Sequence, residues 1–168
     1  MSALRFKIVL TVLGTPRFCI ETPSLTLPVK SRPPSTGRGE GLFSFEIAGN
    51  LIACSIDAGV GVLQRNGLEF ATIVSAAVPA RKRLAFRAKS LHLGNLNFAN
   101  QQFPLSCTLW MGLVGTRFIL RDPNSRHLAY WNRSSRRSNV VISAKASSEL
   151  RDAILGLVLY TEVQKDGS

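Results

Sequence analysis

Acidic residues are scarce in this chain. Ten Asp and Glu stand against 21 Lys and Arg, a formal net charge of +11 over 168 residues. No Asp or Glu occurs between Glu69 and Asp122. Such a field does not specify a fold, but it favours polyanionic partners: nucleic acid, anionic lipid headgroups or acidic proteins. Histidine is scarcer still. His92 and His127 are the only two, and Cys19, Cys54 and Cys107 are the only cysteines. No CxxC pair and no His/Cys spacing marks a metal site, so the thiols read as reduced, buried side chains of a cytoplasmic protein; the alternatives to a plain cytoplasmic location are a peripheral one at a membrane or a nuclear one. Long apolar runs are missing too. The longest is the stretch from Ala153 to Tyr160, far short of the roughly twenty residues a transmembrane helix needs.

The usual carriers of catalysis are also lacking. No Gly-x-Ser-x-Gly elbow presents a nucleophile, and the carboxylates are scattered without pairing. His127 lies close in sequence to Asp122 and Ser125, but those two belong to a tight turn. His92 sits between Leu91 and Leu93 and reads as a lone strand residue. GRGEG at 37–41 lacks the Lys-Ser/Thr of a phosphate loop. The sequence therefore gives no ground for an enzyme, a cofactor or a metal.

What is present is a globular chain. Hydrophobic residues make up 45% and charged residues 18%, which excludes disorder, and the length suits one domain over residues 1–168. Phe6 to Val12 alternates as a first strand. Its apolar run is too short for a secretion signal, and no small-residue cleavage site follows. Gly14-Thr15-Pro16 turns the chain, and Arg17 to Thr22 returns. Residues 29–41, rich in Pro, Gly and Ser, read as a flexible loop. Phe43 to Ile47 and Ile52 to Ile56 form one hairpin. Val60 to Arg65 and Leu68 to Val74 form another, joined by Asn66-Gly67, the pair that tolerates a type I′ turn. Further strands are expected at Leu84–Ala88, Leu91–Leu93, Cys107–Met111, Thr116–Arg121, His127–Trp131 and Val140–Ile142.

The last stretch, Ala146 to Val163, is different. Ser147 and Ser148 are N-cap residues, Glu149 and Asp152 place negative charge in the first turn, and Leu150, Ala153, Ile154, Leu157 and Val158 recur at helical spacing. Leu155, Leu159 and Tyr160 fill the other side. A helix at about 148–163 with no polar face must be buried all round. Many short strands and one such helix suit each other: the fold class is mainly β, an antiparallel barrel of about twelve short strands wrapped around a hydrophobic C-terminal helix. A sandwich carrying the helix on an outer face would leave it a polar stripe.

Several segments carry a resemblance. GTPRFCIETP, LEFATIV followed by LAFRAKSLHL, CTLW, and above all TRFILRDPNSRHLAYWNR leading into VVISAKASSELRDAILGLVLYTEV are similar to the tubby C-terminal-like superfamily of tubby, LURP-one-related and scramblase-like domains. Within it the chain most resembles a small, mainly basidiomycete fungal family of unknown function. The resemblance covers nearly the whole chain and implies a roughly twelve-stranded barrel around a hydrophobic helix. Tubby domains bind phosphoinositides through basic residues, yet no tubby ligand motif maps onto this chain residue by residue, and nothing corresponds to a scramblase's membrane-inserting segment.

Function must then be read from charge. Arg81, Lys82, Arg83, Arg87 and Lys89 crowd one stretch, and Arg126, Arg133, Arg136 and Arg137 flank the strand Leu128 to Trp131. Brought together they would make an anion-binding face, since Arg forks match phosphate oxygens. Trp110, Tyr130 and Trp131 would add a membrane-interface or base-stacking element. The competing reading is that these cations solvate loop ends while the aromatics are core. Two functions follow: a non-enzymatic module engaging anionic lipid headgroups, or a scaffold with an acidic protein partner. Specific nucleic-acid binding is disfavoured, because the RNA-recognition signature, zinc-finger spacing and a basic helix are all missing. The run RSSRRS from Arg133 to Ser138 also reads as a phosphorylation switch.

Overall fold

The computed structural model describes residues 3–11, 17–31, 41–76, 90–109, 116–134 and 136–166. Among them are the strands β1 (Leu4–Thr11), β2 (Arg17–Glu21), β3 (Thr26–Ser31), β4 (Gly41–Ile47), β5 (Asn50–Asp57) and β6 (Val60–Arg65). β7 (Leu68–Ser75), β8 (Leu91–Phe98), β9 (Gln101–Leu109), β10 (Thr116–Arg121), β11 (His127–Arg133) and β12 (Arg137–Ile142) follow, and α1 (Ser148–Asp166) comes last. Each strand pairs antiparallel with its sequence neighbour. β12 then pairs with β1, Phe6 opposite Val140, and the sheet closes into a twelve-stranded barrel.

Closure follows from alternation. Phe6 and Ile8, Phe43 and Phe45, Ile52 and Cys54, Phe118 and Leu120, Trp131, and Val140 and Ile142 all point inward and are buried. A closed sheet leaves no unpaired edge to recruit another chain. Tight turns set the register. Ala48-Gly49, Ala58-Gly59, Asn66-Gly67 and Ala99-Asn100 each hold both central residues at positive φ, the conformation whose twist matches a two-residue hairpin. Asn66 earns its place in a second way, accepting the Leu51 N–H on Oδ1 at 2.9 Å and donating from Nδ2 to Asn50.

α1 occupies the lumen. Every residue from Asp152 to Tyr160 is buried, so over that span no face of the helix is exposed. The hydroxyl of Ser147 caps it, accepting the Leu150 N–H at 3.2 Å. Its first turn is tied to β6 by Arg65 with Glu149, and its last turns to β11 and β12 through Glu162 with Arg133 and Ser138. β6 and β12 stand on opposite walls of the ring, so the helix crosses the barrel from one end to the other. The end where α1 begins is here termed the entry end, and the other the exit end.

Two strand expectations need correction. The segment 29–41 is not all loop: Val29, Lys30 and Ser31 belong to β3, while 32–40 lie outside the described residues. β9 starts at Gln101, not Cys107, and Met111 lies outside the described residues, as do Val12 and the segment Leu84–Ala88. Proline hid both strands. Pro28 pairs with Cys19 on β2, but the β3–β4 ladder begins only at Val29. Pro104 pairs with Asn95 on β8, and the β9–β10 ladder begins only at Leu105. Each proline thus stands where one side needs no ladder hydrogen bond, the position a strand proline tolerates. Smaller shifts lengthen β8 to Phe98, begin β12 at Arg137 and carry α1 on to Asp166.

Candidate functional site

The two ends differ in charge. Glu21, Glu46, Glu69, Asp122, Glu149 and Asp152 lie toward the entry end, matched there by Arg5, Arg65, Arg121, Arg126, Lys145 and Arg151. Toward the exit end lie Lys30, Arg117, Arg133, Arg136 and Arg137 against Asp57 and Glu162. Arg81, Lys82, Arg83, Arg87, Lys89 and Trp110 lie outside the described residues.

The second sequence cluster does not stay together. Arg126 belongs to the β10–β11 turn at the entry end, where its N–H donates to Asp122 Oδ1 at 2.8 Å. Arg133, Arg136 and Arg137 lie at the other end of β11, separated from it by about 20 Å of extended strand. Arg133 points inward. Its Nε donates to Glu162 Oε1 at 2.9 Å, its Nη2 to the Thr161 carbonyl, and its guanidinium lies 4.8 Å over the Phe118 ring. Arg136 and Arg137 are exposed.

The structure assembles a different basic surface. Outward positions on β10, β11, β12 and β1 form a row in which Arg117 stands beside Asn132, Asn132 beside Asn139, and Asn139 beside Lys7. At about 4.8 Å per strand this row spans about 14 Å. Arg5, Arg121 and Arg137 also face outward on the same four strands, and none of their outward positions is acidic. Glu21, opposite Lys7 on β2, marks the boundary. Arg117 also lies over the Tyr130 ring at 5.0 Å. Arg5, Lys7 and Arg117 escaped the sequence reading because they are not clustered along the chain. The signal was there in their parity: each takes the position that alternates with an inward Phe or Ile.

The aromatic expectation fails at Trp131. That side chain is wholly buried, stacked on Phe118 at 5.0 Å, so it reaches neither a membrane nor a base. Tyr130 does face outward, but Arg117 covers its ring. The phosphorylation reading of RSSRRS fails at Ser138, which is buried with its hydroxyl on Glu162 at 2.8 Å. Ser134 bonds the Arg137 carbonyl within its own turn, and Ser135 lies outside the described residues.

Titratable groups fit a structural role. Burial pushes the Cys54 thiol up to about 12. It also raises Cys107, which Arg133 pulls partly back, and Cys19, which Glu21 pushes further. All three stay protonated thiols at neutral pH, the unreactive form. His92 and His127 are exposed, and Asp122 and Ser125 are engaged with Arg126 and Arg121 across their turn. Among the described residues no three His, Cys, Asp or Glu side chains converge on a point that would hold a metal ion. No helix among them is long and apolar enough to cross a membrane.

Inside the exit end is a cavity of about 400 Å³. It lies between α1 and the β7–β11 wall, lined by Ile73, Leu93, Leu105, Phe118 and Leu157, with Ser75, Asn95, Arg133, Thr161 and Gln164 among its polar groups. Comparison with known protein families, with curated proteins and with solved structures finds no match to this chain.

Proposed function

We propose that this protein is a non-enzymatic binding module that engages anionic lipid headgroups through the outer wall of β10, β11, β12 and β1. The observation that carries the reading is the row Arg117–Asn132–Asn139–Lys7 with Arg5 and Arg137 beside it and no carboxylate among the outward positions of those strands. The wall is open, without a cleft to enclose one phosphate, and so matches many headgroups spread over a plane. Single-stranded nucleic acid is served less well. Base stacking needs an uncovered aromatic face, whereas among the described Trp and Tyr residues Trp131 and Tyr160 are buried and Tyr130 lies under Arg117.

Co-sedimentation with neutral and phosphatidylserine vesicles across a salt series, with free RNA as competitor, tests this. Binding should require the anionic lipid, persist at about 0.15 M salt and fall steeply above it. Reversing Lys7, Arg117 and Arg137 to Glu should remove it, each site being worth about 1 kcal/mol near a charged surface. Lys145→Glu at the entry end should leave it intact. Equal loss on both surfaces, or displacement by RNA at low concentration, would reduce the wall to a generic polycation. No vesicle binding together with salt-sensitive capture of one acidic protein would instead assign the wall to a protein partner.

A further inference from the structure

The exit-end cavity has a structural origin. α1 does not run down the middle of the barrel but lies against the β4–β8 side, and two glycines let it approach β6 closely. A Cβ on Gly156 would lie 2.8 Å from a Leu63 methyl carbon, and a Cβ on Gly61 would lie 2.9 Å from the Tyr160 ring. The C-terminal half of the helix leaves space between itself and the inner faces of β7–β11. That space keeps a floor and walls of Ile73, Leu93, Leu105, Phe118 and Leu157. An engineered apolar cavity of about 150 Å³ holds one benzene. The space here, at about 400 Å³, suits a molecule more than twice that size.

Charge decides what kind of molecule. The one charged side chain on the lining among the described residues is Arg133, and its charge is already matched. Glu162 accepts from its Nε and from Ser138, and the Thr161 carbonyl accepts from its Nη2. α1 also ends here, adding the negative pole of its dipole. An anionic head in this mouth would meet Glu162 and the helix C-terminus, with no spare positive charge on the lining among the described residues to hold it. Arg133 Nη1, however, finds no acceptor among the described residues.

We propose that this cavity binds a small, uncharged, mainly apolar molecule with its body against Leu105, Phe118 and Leu157 and one hydroxyl or carbonyl oxygen accepting a hydrogen bond from Arg133 Nη1. The site is distinct from the outer basic wall and selects the opposite kind of ligand.

A built-in reporter tests it. Phe118 both lines the cavity and stacks on Trp131, so a heavy atom in the cavity should quench Trp131. In a Trp110→Phe background Trp131 is the sole tryptophan. Titration with a bromine-tagged n-decanol, without vesicles, should quench it saturably at one molecule per chain. n-Decanol should displace the probe, and decanoate should do so at least about tenfold less well, because a buried unpaired carboxylate is penalised. Gln164→Phe, at the exposed mouth, should weaken binding by about tenfold while the melting temperature stays unchanged. Quenching that never saturates, decanoate matching or exceeding decanol, or a Gln164→Phe variant that binds as before would each overturn the assignment. Loss of vesicle binding with this titration intact would leave the cavity standing and remove only the lipid-surface reading.

Discussion

The two ends of this barrel hold the same helix by different means. At the entry end Arg65 reaches Glu149 at 2.9 Å, but the Glu149 side chain is 58% exposed, so water competes for the pair and its worth is small. Asp152 beneath it is nearly fully buried and among the described residues has only the longer contacts, 3.7 Å to Arg65 and 3.5 Å to Arg151. At the exit end the Arg133–Glu162 pair is 14% and 12% exposed and is stitched further to Ser138 and the Thr161 carbonyl. A balanced, solvated end thus faces an end where the ion pair is buried and the helix leaves a cavity beside it. The lesson is that salt bridges at similar distance differ in consequence with the water around them.

The most severe break removes the element both ends share. Leu155 is wholly buried and off the cavity lining, so Leu155→Asp places a carboxylate in the lumen with no partner. It should cost more than about 4 kcal/mol and leave the chain unfolded or aggregated. A normally folded Leu155→Asp protein by circular dichroism and urea melting would mean the helix is not enclosed.

Next comes the contrast itself. Arg133→Met should cost about 3 kcal/mol, since it strands a buried Glu162, and adding Glu162→Gln should recover part of that loss. Arg65→Met should cost less, about 1–2 kcal/mol, because Glu149 is exposed and the buried Asp152 keeps Arg151 beside it. Urea midpoints for the three variants rank the ends directly, and equal losses would erase the distinction drawn here.

The close approach of α1 to β6 is probed with smaller changes. Gly61→Ala drives a Cβ against the Tyr160 ring and the Ile73 Cβ and should destabilise by about 1–3 kcal/mol. Gly156→Ala meets only the end of the Leu63 side chain, and the gain in helix propensity of about 1 kcal/mol offsets part of the clash. Its melting temperature should therefore fall less.

The smallest effect concerns pH. Burial raises the Asp152 carboxyl above its ordinary value, and the guanidiniums of Arg151 and Arg65 only partly counter it. A carboxyl whose folded value is raised binds its proton more tightly in the folded state. Its stabilisation is therefore present below the ordinary Asp value and is lost as pH rises through the raised one. Asp152→Asn fixes the neutral form, so it should match the parent protein in acid and exceed it slightly near pH 7. An Asp152→Asn protein that is less stable than the parent near neutral pH would show that the two arginines, not desolvation, govern that carboxyl.

Much of the fold was legible because alternation and turn chemistry are local. Phe43-Ser44-Phe45 and Asn66-Gly67 state their conformations without help from distant residues. The helix was legible for the opposite reason: Leu155, Leu159 and Tyr160 leave no polar face, and only enclosure satisfies that. β3 was hidden because it has a single fully buried residue, Val29, with Leu27 only partly buried beside it, and because Pro28 is tolerated only where the β4 ladder has not begun. The basic wall was less legible still. Its members come from strands far apart in the sequence, and the second cluster of cations, Arg126 to Arg137, is divided by the length of β11.

The sequence by itself determined most of the strands, where most hairpins turn, and that an all-apolar helix must be covered on every side. The tertiary structure decided which side chains share a surface. Closure of β12 onto β1 places Lys7 beside Asn139, and register turns Lys7, Arg117 and Arg137 outward while Arg133 turns inward onto Glu162. The physical reason is that side chains alternate with a period of two, so a slip of one residue in pairing would exchange the faces. No local pattern of charge encodes that choice; only the packed interior, which admits Phe6, Phe118 and Trp131 on one face, fixes it.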